Sequence, residues 1–115
     1  MGKKAMEIKT TTEDGVAIIT PSGRVDTSTA KAFEDGVMGT IDSNNKIAIC
    51  FSGIDYISSA GLRVVLMAGK KLTALNGRFA LINMPEKIFA VFKMSGFDKI
   101  LKIYPSFEES KSFFK

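Results

Sequence analysis

Two adjacent hydroxyls, Ser58 and Ser59, stand where a strand signal gives way to a long helical one, in Asp55-Tyr56-Ile57-Ser58-Ser59-Ala60-Gly61-Leu62. A helix start leaves backbone N–H groups unpaired and carries the positive end of the macrodipole. A serine placed there can cap the helix by accepting from one of those N–H groups, or it can carry a phosphate in a favourable field. The two uses are compatible. Residues at four-residue steps share one stripe of a helix, so Ser59, Arg63 and Met67 line up beside the core-facing Leu62, Leu66 and Gly69. That stripe offers an adaptable apolar contact next to a guanidinium, which suits docking to a protein surface. A partly buried core position is the alternative for Met67.

Other chemistry is largely absent. The chain has no histidine, so Ser-His-Asp and Cys-His nucleophiles and the common zinc hydrolase sites are excluded. Its single cysteine, Cys50, lies within the apolar run Ile47-Ala48-Ile49-Cys50-Phe51 and reads as a small buried hydrophobe. No Gly-x-x-x-x-Gly-Lys-Ser/Thr loop occurs, and the scattered Asp and Glu form no acid pair. A binding protein is expected, not an enzyme, and no cofactor or metal is implied.

The 115 residues, 45% hydrophobic and 24% charged, suit one compact domain over 1–115. The net charge of +4 is spread along the chain without a basic stripe, and Trp is absent, which argues against direct nucleic-acid binding. Met1-Gly2-Lys3-Lys4-Ala5-Met6 lacks the apolar run of a signal peptide and the hydroxyl that a myristoylation motif carries at its sixth position. No apolar stretch approaches the roughly 20 residues of a membrane span. A cytoplasmic location without membrane insertion is therefore expected.

The elements that must position the serines follow from periodicity. Met6 to Thr12 alternates as a strand, and Asp14-Gly15 turns the chain into a second strand, Val16 to Thr20, forming a hairpin. Asp26-Thr27-Ser28 supplies cap chemistry for a helix from Thr29 to about Gly39, with Ala32, Phe33, Val37 and Ile41 inward. Ile47 to Phe51 is a continuous apolar run, the pattern of a central strand covered on both faces. The longest helix spans Ser59 to Asn76, with Leu62, Val65, Leu66, Gly69, Leu72 and Leu75 inward and Asn76-Gly77 as its stop. Arg78 to Ile82 is the next strand, Pro85 to about Met94 a helix with Ile88, Val91 and Phe92 inward, and Ile100 to Tyr104 the last strand. Pro105-Ser106 opens a tail helix whose Phe107, Phe113 and Phe114 predict docking onto the body. The order predicts an α/β fold: a mixed, mostly parallel central sheet of about five strands, an opening β-hairpin, and helices packed against the sheet.

The segment Tyr56-Ile57-Ser58-Ser59-Ala60-Gly61-Leu62-Arg63-Val64-Val65-Leu66 resembles the signature of the STAS domain, the fold of bacterial anti-sigma factor antagonists. Gly23-Arg24-Val25-Asp26 is similar to that family's second-strand exit. Lys93-Met94-Ser95-Gly96-Phe97-Asp98-Lys99-Ile100-Leu101-Lys102-Ile103-Tyr104 resembles its third helix and last strand. The resemblance covers almost the whole chain.

It implies an anti-sigma factor antagonist that binds an anti-sigma factor which is also a serine kinase, frees a sigma factor, and is switched off by phosphorylation. Transcription regulation by partner switching, with a phosphatase to reverse the mark, would follow. By resemblance Ser59 is the acceptor and Ser58 the lesser candidate. Asp26, Ser58, Ser59, Ala60, Gly61, Arg63 and Met67 form the partner-binding set. Family members usually carry an acidic residue just before the acceptor, and here that position is Ser58, which offers a hydrogen bond but no charge. Asp26 has two readings, capping the first helix or facing the kinase, and Gly61 two, close approach of a partner or tight packing of helix on sheet. The alternative function is a non-phosphorylated STAS scaffold subunit of a transporter or signalling complex.

Overall fold

The computed structural model describes residues 6–115. The opening segment read above for leader and myristoylation signals therefore lies almost entirely outside the described residues.

Strands β1 (Glu7–Glu13) and β2 (Val16–Val25) form the opening hairpin. Glu13 faces Val16 across a two-residue loop, and Asp14 and Gly15 adopt positive φ of 52° and 80°, the pairing that a tight type I′ turn requires. After helix α1 (Ala30–Ile41) come β3 (Lys46–Cys50), β4 (Gly53–Ile57) and helix α2 (Ser59–Ala74). Strand β5 (Arg78–Ile82), helix α3 (Glu86–Met94), a 3₁₀ turn (Phe97–Lys99), strand β6 (Lys102–Tyr104) and helix α4 (Phe107–Phe114) complete the order.

The sheet runs β1-β2-β3-β5-β6, antiparallel only at β1·β2, with β4 added beside the second half of β2. It has six strands, one more than the sequence suggests. The additional strand is β4, whose only buried side chains are Ile54 and Ile57, too sparse for the alternation that marks a strand. Strand β2 also runs five residues beyond the expected Thr20. It pairs with β3 through Ala17–Ile19 and with β4 through Ser22–Val25, and Pro21, which has no N–H to donate, falls in the gap between the two partners. A register shift at Gly23/Arg24, where Gly23 has φ 111°, re-aims the end of the strand.

Because β3 is central, its consecutive residues feed two cores. Ile47 and Ile49 join Ile19, Leu81 and the inner faces of α1 (Phe33, Val37), α2 (Leu62, Val65, Ala68, Leu72) and α3 (Ile88, Phe92). Ala48 and Cys50 point the other way, to Val16, Ile18, Ala80, Ile82 and Phe114 of α4. The tail helix therefore docks through Phe114, which stacks edge-on with Phe113 at 5.3 Å. Cys50 is buried as expected, although its Sγ also lies 3.3 Å from Ser52 Oγ and from Asn83 Nδ2.

Three expected positions move. Ala32 is exposed because α1 turns only Phe33, Val37 and Ile41 inward. Leu75 is 54% exposed because α2 ends at Ala74, two residues before the expected Asn76, and leaves Leu75 as its C-cap. The helix closes with Asn76 in the left-handed region at φ 61°, donating to Thr73 O, while Gly77 N–H donates to Leu72 O at 2.7 Å. Asparagine thus takes the position where glycine is commonest. Ile100 is 64% exposed: it caps the 3₁₀ turn that ends at Lys99, and pairing with β5 begins only at Lys102.

Candidate functional site

The parallel pairing of β2 with β4 puts their C-terminal ends side by side, with Val25 opposite Ile57. Both are buried and both point toward the α1–α2 side of the sheet. Their neighbours Arg24 and Tyr56, opposite one another in register, face the other way and are exposed. Beyond this rung the ladder continues for one bond, Ser58 N–H to Val25 O at 2.8 Å, and then β4 turns into α2. That bond joins the loop carrying Asp26 to the serine pair.

The two hydroxyls play different parts. Ser58 is the N-cap, with extended backbone, and its Oγ accepts from Gly61 N–H at 3.4 Å. Ser59 is the first helical residue and is exposed, and no hydrogen bond ties its hydroxyl to another described residue. The question left open by sequence, which serine caps, is answered in favour of Ser58. The first turn of α2 contains no acidic residue, so no carboxylate competes for its N–H groups or its dipole.

Asp26 is held by its own loop. Its Oδ1 accepts from Ser28 Oγ at 2.7 Å, Ser28 N–H at 3.0 Å and Thr29 N–H at 3.2 Å. These donors, the Ser28 hydroxyl first, hold the Asp26 carboxyl down at about 2. The N-cap position of α1 itself belongs to Thr29, whose hydroxyl donates to Arg24 O at 2.6 Å and makes no cap bond. Asp26 therefore closes the loop one turn ahead of the helix and keeps Oδ2 turned outward, 3.6 Å from Arg24 Nε. Arg24 in turn lies over the Tyr56 ring at 4.3 Å, a stack favourable for a guanidinium.

Of the expected set, Asp26, Ser58 and Ser59 come together at this rim, and Arg63 and Met67 continue the exposed stripe along α2. Met67 is 38% exposed, so its side chain is available at the surface. Ala60 is half-buried. Gly61 is buried, and a Cβ there would sit 2.6 Å from Val25 Cγ1 and 2.8 Å from Ile57 Cγ1, which supports the packing reading of this glycine. It serves the site by letting the first turn of α2 lie on the two strand ends. Sequence reasoning missed Arg24 and Tyr56. Each stands two residues before a site residue, the spacing that puts side chains on one face of a strand, but this signal means something only once β2 and β4 are known to pair.

Comparison with known proteins agrees with this geometry. The STAS domain profile matches residues 7–110. The chain is 34% identical over 103 residues to the candidate anti-sigma factor antagonist BtrV of Bordetella bronchiseptica, covering 89% of each protein. A crystal structure of a candidate anti-sigma factor antagonist from Thermotoga maritima superposes with a TM-score of 0.86 at 27% identity, over 93% of both chains. The phosphorylated form of the Bacillus cell fate determinant SpoIIAA shares the fold, with a TM-score of 0.69 at 20% identity over 95% of this chain and 99% of that one. With the profile spanning nearly its whole length and the sheet order and helix layers matching, the chain belongs to the STAS domain family.

Proposed function

We propose that this chain is an anti-sigma factor antagonist acting as a single cytoplasmic STAS domain, which docks on an anti-sigma factor serine kinase and is switched by a phosphate on Ser59. The observation that carries the reading is the division of labour between the serines. Ser58 is committed to the cap, which leaves the exposed Ser59 hydroxyl free to enter another protein's active site. In the transfer, Ser59 Oγ attacks the γ-phosphorus of ATP, the new O–P bond replaces the bond to departing ADP, and the hydroxyl proton passes to a base on the kinase. The chain is substrate and ligand in this scheme, and catalysis lies with its partner.

The exposed Ser59, Arg63 and Met67 stripe, with Asp26 at its rim, forms the docking face. A phosphoserine adds roughly −1.5 to −2 charges at neutral pH. At a helix start the dipole accommodates them, so the domain stays folded and the effect falls on the complex. A partner surface that is acidic or apolar opposite this stripe would have to desolvate the new charge without compensation. A phosphatase then restores the docking form.

The test is incubation of the chain with an anti-sigma factor serine kinase from the same cells and ATP, followed by intact mass, with Ser59→Ala alongside. One phosphate on the native chain and none on the variant is expected. A chain that stays unmodified, or a variant modified equally, refutes the switch and leaves the scaffold function in its place.

A further inference from the structure

Among the described residues, α2 is the one helix bordering the site that carries no anion. Its 16 residues, Ser59–Ala74, include Arg63, Lys70 and Lys71 and not one Asp or Glu. Lys71 has a partner outside the helix, Asp42 at 3.6 Å. Arg63 is exposed and has neither an ion pair nor a side-chain hydrogen bond to any described residue. It also stands four residues after Ser59 on the same stripe. Helical side chains lean back toward the N-terminus, so a long side chain at the fifth position covers the surface over the first. At this spacing Cβ atoms are about 5–6 Å apart, and the order anion first, cation four later is the favourable one.

We propose that Arg63 is the residue that reads the modification: once Ser59 carries a phosphate, the Arg63 guanidinium turns back one helical turn and holds it, and so leaves the docking face. The inference rests on Ser59 as acceptor and adds how the mark is transmitted. In the unmodified chain Arg63 is a free cation that can meet a partner carboxylate. In the modified chain the same fork binds the phosphate oxygens, for which its geometry is well matched. One event therefore both adds a negative charge to the stripe and withdraws the positive one, with no change in the fold.

The other charges around Ser59 have reasons to stay where they are. Arg24, at the end of β2, is stacked on Tyr56 at 4.3 Å and paired with Asp26 at 3.6 Å. The Asp26 carboxylate is saturated on Oδ1 by Ser28 and Thr29. Asp55, on β4, is exposed and carries the same sign as the phosphate. No acidic side chain lies in the first turn of α1. Among the described residues, Arg63 is thus the one cation near Ser59 that loses no existing contact by moving.

The experiment uses the full chain with phosphoserine incorporated at position 59 during translation, which makes it independent of any kinase. The ³¹P shift of the phosphate is followed against pH in the native background and in Arg63→Gln, Arg63→Lys and Arg24→Gln. An unpaired phosphoserine titrates at about 6. Arg63 favours the dianion, so Arg63→Gln should raise the titration midpoint by ~0.5 unit or more, while Arg63→Lys recovers part of the shift. Arg24→Gln should leave it within ~0.2 unit. The Arg63 Nε–H resonance should also move between the unmodified and phosphorylated chains. A midpoint unchanged by Arg63→Gln, or raised as far by Arg24→Gln, overturns the proposal. Failure of the kinase and ATP to modify the native chain would instead remove Ser59 as acceptor, and the two failures are read from separate samples.

Discussion

Replacing Gly61 with alanine isolates what holds the serines in place. Two effects of opposite sign compete at this position. Alanine is the better helix former, by up to about 1 kcal/mol. Against that, the added methyl would lie 2.6 Å from Val25 Cγ1 and 2.8 Å from Ile57 Cγ1. Neither neighbour can yield by a rotamer change alone. Both are β-branched, stiff at χ1, buried at 0% and 4% exposure, and locked opposite one another in the β2·β4 ladder. Relief therefore requires α2 to lift from the strand ends, and overpacking of this kind costs about 1–3 kcal/mol. With contacts to two rigid residues the upper half of that range applies, leaving a net loss of ~1–2 kcal/mol after the propensity gain. For a chain of this size that corresponds to a fall in Tm of about 4–8 °C. The assay is thermal and urea unfolding followed by circular dichroism, with Gly39→Ala as internal control. Gly39 lies inside α1 with nothing within 4 Å of a built Cβ, so only the propensity term operates and the variant should gain about 0.5–1 kcal/mol. If Gly61→Ala melts at or above the native temperature while Gly39→Ala gains as expected, α2 is not packed on the ends of β2 and β4 as described, and the placement of Ser58 and Ser59 fails with it.

Three further outcomes follow from the same geometry. Ser58→Ala removes the cap on Gly61 N–H and should cost about 0.5–1 kcal/mol in urea unfolding, toward the low end because the bond is 3.4 Å long, whereas Ser59→Ala should be neutral; equal losses would contradict the division between cap and free hydroxyl. The Asp26 carboxyl is held at about 2 against an ordinary 3.8, so it adds stability that is fully present above about pH 4 and lost as pH falls toward 2; Asp26→Asn should flatten that part of the stability–pH curve, and an unchanged acid limb would show that the loop bonds do not persist in solution. Phe114→Ala empties a site that is 3% exposed in the α4-side core and should cost about 3–5 kcal/mol; a loss below about 1 kcal/mol would mean that the tail helix is not docked.

Much of this architecture is legible in local chemistry. Asp14-Gly15 can take positive φ twice, so the hairpin and its two-residue loop follow from those residues alone. The unbroken run Ile47 to Cys50 identifies the central strand because only a strand buried on both faces needs apolar residues in succession. The periodicity of α2 is long enough to locate its start to the residue, and with it the serine pair. Local chemistry also supplied the exposed stripe of Ser59, Arg63 and Met67, since three side chains four apart share a helix face whatever the helix packs against.

What tertiary structure alone decided is everything that depends on which strands lie side by side. Strand β4 is invisible locally, because at Gly53–Ile57 only two side chains are buried, and its pairing energy comes from backbone bonds to a β2 whose extension past Pro21 and Gly23 no propensity suggests. That pairing brings Arg24, Tyr56, Asp26 and the serines into one cluster, although they are separated in sequence by some thirty residues. It also gives Gly61 its packing role, since the crowding comes from Val25 and Ile57, one on each of the paired strands. Residue types set where helices and turns begin and end over a few neighbours in the chain; the neighbours that matter for a binding rim are set by sheet register, which is a property of the folded whole.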